Sequence, residues 1–143
     1  MAESRRAMKA ALKPFVGKWI IVEMEAWDQE FVDMEGPGHF TFSKDGTGRF
    51  RFGLVRGEMD CRMEIASGKA RIEFSWEGSD ELDPALGRGW AWIEHEELQG
   101  RIFFHMGDDS AFRAIRSSGG RLPLVNTSTT NFSPSTGRSP RRR

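Results

Sequence analysis

The sequence predicts an all-β fold, an antiparallel up-and-down barrel or sandwich of about eight strands with a short N-terminal helix. Three observations point there. Apolar and polar residues alternate with a period of two through most of residues 18–116. Segments with that pattern recur at roughly ten-residue spacing, joined mostly by short turns rich in Gly, Asp and Ser. There are 11 Phe and 5 Trp but no Tyr, a set of rings that packs well on a pleated surface. Clean alternation argues against a parallel sheet, whose strands would be apolar on both faces.

Residues 4–13 (Ser-Arg-Arg-Ala-Met-Lys-Ala-Ala-Leu-Lys) favour helix, with Ser4 as a cap. Met8, Ala11, Leu12 and Phe15 fall on one helical face, and Pro14 and Gly17 end the helix. From Lys18 the period becomes two. Phe40 and Phe42, then Phe50, Phe52 and Leu54, flank the turn Lys44-Asp45-Gly46-Thr47-Gly48 as a hairpin. Met59, Cys61, Met63 and Ile65 lead through Ala66-Ser67-Gly68-Lys69 to Ala70, Ile72, Phe74 and Trp76. Gly78 to Gly87 reads as a longer connection, and strands follow at 88–94, 101–106 and 111–116. From Ser117 onward the composition is too polar to offset its ordering entropy. The expected domains are therefore 1–116, the β domain, and 117–143, a disordered basic tail.

Charge divides the same way. Residues 1–116 carry 16 Lys and Arg against 21 Asp and Glu, a net of −5, while residues 117–143 carry five arginines and no acid. Such a tail meets nucleic acid weakly and without sequence preference, at most. Cys61 is the one cysteine, which excludes an intramolecular disulfide and cysteine-rich zinc sites. It reads as a buried small hydrophobe, with a reactive thiol as the alternative. No apolar run approaches the length of a membrane span, and no secretory leader is legible, so the expected location is cytoplasmic.

The short N-terminal helix, Gly17-Lys18-Trp19 entering the first strand, and a late arginine (Arg113 or Arg116) resemble the calycin superfamily of lipocalins and fatty-acid-binding proteins. The resemblance covers about residues 8–116. It implies a barrel with one end closed by the tryptophan and the arginine packed across its ring, a sound cation–π arrangement. The chain also resembles a small, widespread bacterial family to which no activity is attached. Two faces of the first strand compete for the core. If Trp19 points inward, strict alternation sends Ile21, Glu23, Glu25 and Trp27 inward too. If Ile20, Val22, Met24 and Ala26 pack inward, Trp19 and Trp27 face out. Neighbouring strands, with Met, Ile and Phe on one side, favour the second choice. A bulge would reconcile the two.

Few residues suggest chemistry. The stretch 77–88 holds four acids and Arg88 between Trp76 and Trp90; it lacks calcium-loop spacing and reads as a solvated loop, with a hard-cation site or an acid/base pair as the alternative. Trp90 and Trp92 share a strand face, as do Phe103 and His105, and these rings suit either core or ligand lining. Gly107-Asp108-Asp109-Ser110 and Gly46-Thr47-Gly48 read as turns. His39, His95 and His105 show no ligand spacing, so neither metal, cofactor nor catalytic residue is assigned. The leading expectation is a non-enzymatic barrel that binds a small or medium ligand at one end, through Glu23, Glu25, Trp27, Trp76, Trp90, Trp92 and His105. The alternatives are an interaction subunit, pairing with a second copy or another protein, and an acid/base enzyme built on the 77–88 acidic loop and His105.

Overall fold

A computed structural model describes the backbone of residues 2–117 and the side chains of residues 6–117. The sequence-based expectation of a disordered tail falls almost wholly outside the described residues. Its first residue, Ser117, still donates its backbone N–H to the carbonyl of Lys18, 2.9 Å away.

Helix α1 (Ala2–Leu12) runs into a 3-10 turn (Lys13–Phe15), and Val16 leads into strand β1 (Gly17–Met24). A single helical turn, α2 (Gln29–Val32), separates β1 from β2 (His39–Phe42). Then follow β3 (Thr47–Phe52), β4 (Val55–Ala66), β5 (Lys69–Asp80), β6 (Asp83–Glu94), β7 (Glu97–Phe104) and β8 (Asp109–Arg116). Each strand pairs with the next, and β8 pairs back on β1 to close an eight-stranded antiparallel barrel. Every strand edge is thereby used within the described residues.

The N-terminal segment closes one end. Leu12 and Phe15 are buried, and the Phe15 ring meets Phe42 edge-on at 6.4 Å. Trp19 is buried inside the barrel and donates its indole N–H to the Phe15 carbonyl at 2.9 Å. The Arg116 guanidinium lies 4.0 Å from the Trp19 ring and donates to the carbonyls of Val16 and Pro14, both at 2.7 Å. One side chain from the last strand thus fastens the chain where it enters the first.

Strand β1 uses both of its candidate faces. Trp19 and Ile21 point inward; the pairing with β8 then shifts between Ile21 and Glu23, and Met24 is the next buried residue. The expectation that Ile20 and Val22 form the packed face with Met24 is corrected: only Met24 is buried. The bulge inserts one residue, so Trp19 faces in without carrying Glu23 and Glu25 inside. Both glutamates are exposed, Glu23 bound to Arg113 and Glu25 to Arg101.

Rings fill the interior. Phe40 of β2 lies 4.4 Å from Phe112 of β8, 5.3 Å from Phe50 of β3 and 6.2 Å from Phe74 of β5, ring centre to ring centre. Rings of this size fit because facing positions are bare. A Cβ on Gly89 would stand 2.3 Å from the Phe74 ring, and one on Gly57 2.5 Å from Phe50. On β6 the inward residues are Gly87, Gly89 and Ala91, with the bulk supplied from β5.

Gly89→Ala is therefore expected to destabilise the protein by about 1–3 kcal/mol through overpacking. Phe74→Leu in the same chain should recover part of that loss. Chemical denaturation measures both; an unchanged midpoint for Gly89→Ala would mean that the interior is slack.

Candidate functional site

The end of the barrel opposite Trp19 is built differently. A cleft of about 650 Å³ lies there between α2, the β5–β6 turn and the β7–β8 turn. Its walls include Trp27, Phe31, Val55, Ala85 and Phe104. Trp27 lies 5.2 Å from the inward ring of Phe52 and 6.1 Å from both Phe31 and Phe104. Trp76 stands beneath, edge-on to Phe104 at 5.2 Å, its indole N–H donating to the Phe103 carbonyl at 3.2 Å. The charged and histidine side chains of the lining are Asp28, Asp80, Asp83, Asp108 and His105.

Local chemistry places these groups. The Asp28 carboxylate caps α2 by accepting from the Phe31 N–H at 2.9 Å, which sets Phe31 beside Trp27. Gln29 donates to the Ile21 carbonyl at 3.0 Å and ties the turn to β1. Ser110, expected in a turn, is instead buried on β8. Its hydroxyl accepts from the Ala26 N–H at 3.0 Å and donates to the Ala111 carbonyl at 2.8 Å. That side chain pins the segment leading to Trp27 against β8.

The stretch read as a long acidic loop is paired backbone. Strands β5 and β6 remain in register from Trp76↔Gly87 to Asp80↔Asp83, leaving only Glu81 and Leu82 as the turn. The extended hairpin carries Asp80 and Asp83 to the cleft and leaves Glu77 and Arg88 exposed along the barrel wall.

The seven residues expected to bind ligand fall into three places. Trp27 and His105 line the cleft, and Trp76 supports its floor. Glu23 and Glu25 lie on the outer wall in ion pairs with β8 and β7. Trp90 and Trp92 also face outward, half-buried, 5.5 Å apart, with the Arg71 guanidinium 5.0 Å from Trp90 and the Lys69 ammonium 4.3 Å from Trp92. Phe103 shares this outer face. Phe31, Phe104 and Asp28 are cleft residues that the sequence reading passed over. The signals were present: an Asp cap ahead of Phe31, and Phe104 at the inward end of the alternation Leu98, Gly100, Ile102.

The three histidines are dispersed. His39 is half-buried on β2, its ring Nδ1–H donating to the Pro37 carbonyl at 3.2 Å. Burial above all holds its pKa below the ordinary value; the Pro37 contact acts the other way, and the nearby charges of Lys18, Arg51 and Arg49 reinforce the lowering. Among the described residues no group of three or more His, Cys, Asp or Glu side chains could hold a metal ion. No helix among them is long and apolar enough to cross a membrane. No protein-family model, curated protein or solved structure matches this chain.

Cys61 is 4% exposed on the inner face of β4. Burial, with Asp60 and Asp45 nearby, pushes its thiol up to about 12. At pH 8 it is protonated and shielded, so iodoacetamide should label it only after guanidinium unfolds the chain. Labelling of folded protein at the rate of a free thiol would restore the reactive-thiol reading.

Proposed function

We propose that this protein is a non-enzymatic binding barrel that takes a small or medium ligand with an apolar or aromatic body in the cleft at the open end. The observation that carries the reading is the convergence of Trp27, Phe31 and Phe104 on a cleft of about 650 Å³, within the usual size range of small-molecule sites. The interior is filled with rings, so a ligand would rest on the Trp27–Phe104 floor and not pass into the barrel. Four aspartates and no Lys or Arg in the lining favour a ligand that is cationic or neutral, and an organic cation would also gain from the Trp27 face.

The calycin-like reading belongs to the same proposal. It is supported by the helix ahead of β1, the eight-stranded order and the Trp19–Arg116 stack. A cytoplasmic location, consistent with a lone buried cysteine, is part of it as well.

One observation favours a second reading, the acid/base enzyme: His105 shares the cleft with Asp80, Asp83 and Asp108. Binding is preferred because the rings of Trp27, Phe31 and Phe104 dominate the walls, the make-up of a ligand pocket with a few polar anchors.

Native mass spectrometry of the purified full chain, followed by a screen of small aromatic amines and neutral aromatics, tests the proposal. Trp27→Ala is expected to weaken any retained or added ligand at least tenfold, and Trp90→Ala to leave it unchanged. Equal losses in both variants would refute the cleft as the site, and turnover of a ligand that depends on His105 would establish the enzyme reading.

A further inference from the structure

A second concave site lies on the outer wall, away from the aromatic cleft. Its volume is about 470 Å³, and its polar lining comprises His39, Arg49, Arg51, Arg56, Glu58 and Ser79. Alternation explains the grouping. On β3, Phe50 and Phe52 point inward, so Arg49 and Arg51 point out; on β4, Val55 and Gly57 point inward, so Arg56 and Glu58 point out. Antiparallel register then sets Arg51 directly opposite Arg56, with His39 opposite Arg51 on the other side.

Two like charges directly opposed across strands are unfavourable unless something lies between them. Acids also face acids at Glu58↔Glu77, Asp80↔Asp83 and Glu94↔Glu97. Among the described residues, however, Arg51↔Arg56 is the one place where two cations of Lys or Arg type are directly opposed. Lys69 pairs with Glu94 and Arg71 with Glu64, while Arg101 holds Glu25 and Asp109, and Arg113 holds Glu23 and Glu97. Among the described residues Arg49, Arg51 and Arg56 form no ion pair, and Glu58 is the only carboxylate in the lining. The Arg51 Nε is also buried without a hydrogen-bond partner. A buried N–H on a charged group carries a desolvation cost that a bound acceptor would remove.

We propose that the outer concavity between β2, β3, β4 and the end of β5 binds a phosphate group, free or carried on a small molecule, between the guanidiniums of Arg51 and Arg56. Planar guanidiniums match the tetrahedral oxyanion with paired N–H donors, and two of them on adjacent strands supply charge from both sides. Arg49 adds a third cation, and the Ser79 hydroxyl, at the rim, a neutral donor. The opposed arginines, the orphaned Nε and the concavity have one common explanation, an anion that completes the site.

The test uses the full chain, 15N-labelled, titrated in low salt with inorganic phosphate, pyrophosphate and glycerol 3-phosphate, with sodium chloride at matched ionic strength as the control. The expected result is saturable binding with Kd at or below about 1 mM for at least one phosphate probe. Amide shifts should gather at His39, Arg51, Arg56 and Ser79. The inorganic probes against the ester tell whether free phosphate or a phosphorylated molecule is preferred. Arg51→Gln and Arg56→Gln should each weaken binding at least tenfold, and Arg88→Gln should not. Arg56→Glu would place opposite charges across the strands; it should abolish binding while raising the Tm of the free protein by roughly 1–4 °C. Shifts confined to residues 118–143, equal losses in Arg88→Gln, binding no better than chloride, or preference for a single-stranded oligonucleotide over all three probes would each overturn the proposal.

Discussion

The structure depends on how a closed eight-stranded barrel fills its interior. Eight strands enclose a space just wide enough for side chains, or for one small ligand if some are withheld. Here none is withheld at the centre. Phe40, Phe50, Phe74 and Phe112 arrive from four strands and meet, while Gly57 and Gly89 supply the room that the rings need. Closure and filling support each other, because the barrel cannot narrow without expelling a ring or widen without leaving a void. Binding is therefore pushed to the ends and the outer wall.

The two ends divide the work. At one, Trp19 is locked between Phe15, which accepts its indole N–H, and Arg116, which lies across its ring while holding two backbone carbonyls. Three hydrogen bonds and a stacked cation leave that end closed. At the other, α2 is a single turn, and two hairpin tips stand apart around a floor of aromatic rings. Ion pairs cover the outer wall along β7, β8 and the adjoining β1, where solvent reaches each of them and each is individually worth little. Where β3 meets the start of β4, Arg49, Arg51 and Arg56 form no ion pair among the described residues, and the wall there has a different chemistry.

Period-two alternation made most of the barrel legible, since a half-buried strand must present one face to the core. The inner faces of β2, β3, β5 and β8 follow it directly through Phe40, Phe42, Phe50, Phe52, Phe74, Trp76 and Phe112. It failed at β1 because a bulge changes the phase midway, and no local residue type marks that bulge. It misled at β6 for a different reason. Trp90 and Trp92 are the bulky apolar residues there, yet they face out because Phe74 already occupies the inner surface over Gly89. Small residues can be the core face when a neighbour provides the bulk, a tertiary effect that a single strand does not reveal. The 77–88 stretch was read as a loop from its acids, Gly and Pro84, although cross-strand pairing with β5 holds it extended. The candidate cleft was legible only in part, through Trp27, Trp76, His105 and the acids of the 77–88 stretch, since barrel closure and not local pattern decides which of these segments meet.

The central claim is that the filled interior leaves the aromatic mouth as the place where an apolar body can lodge. Aromatic-resolved 1H–13C NMR of the full chain during titration with tryptamine, an indole bearing one cationic amine, tests it most directly. The account predicts saturable shifts at Trp27, Phe31 and Phe104 and a smaller one at His105, with Phe40, Phe74 and Phe112 unmoved. Saturable shifts at those interior rings, or at Trp90 and Trp92 with Trp27 silent, would contradict it.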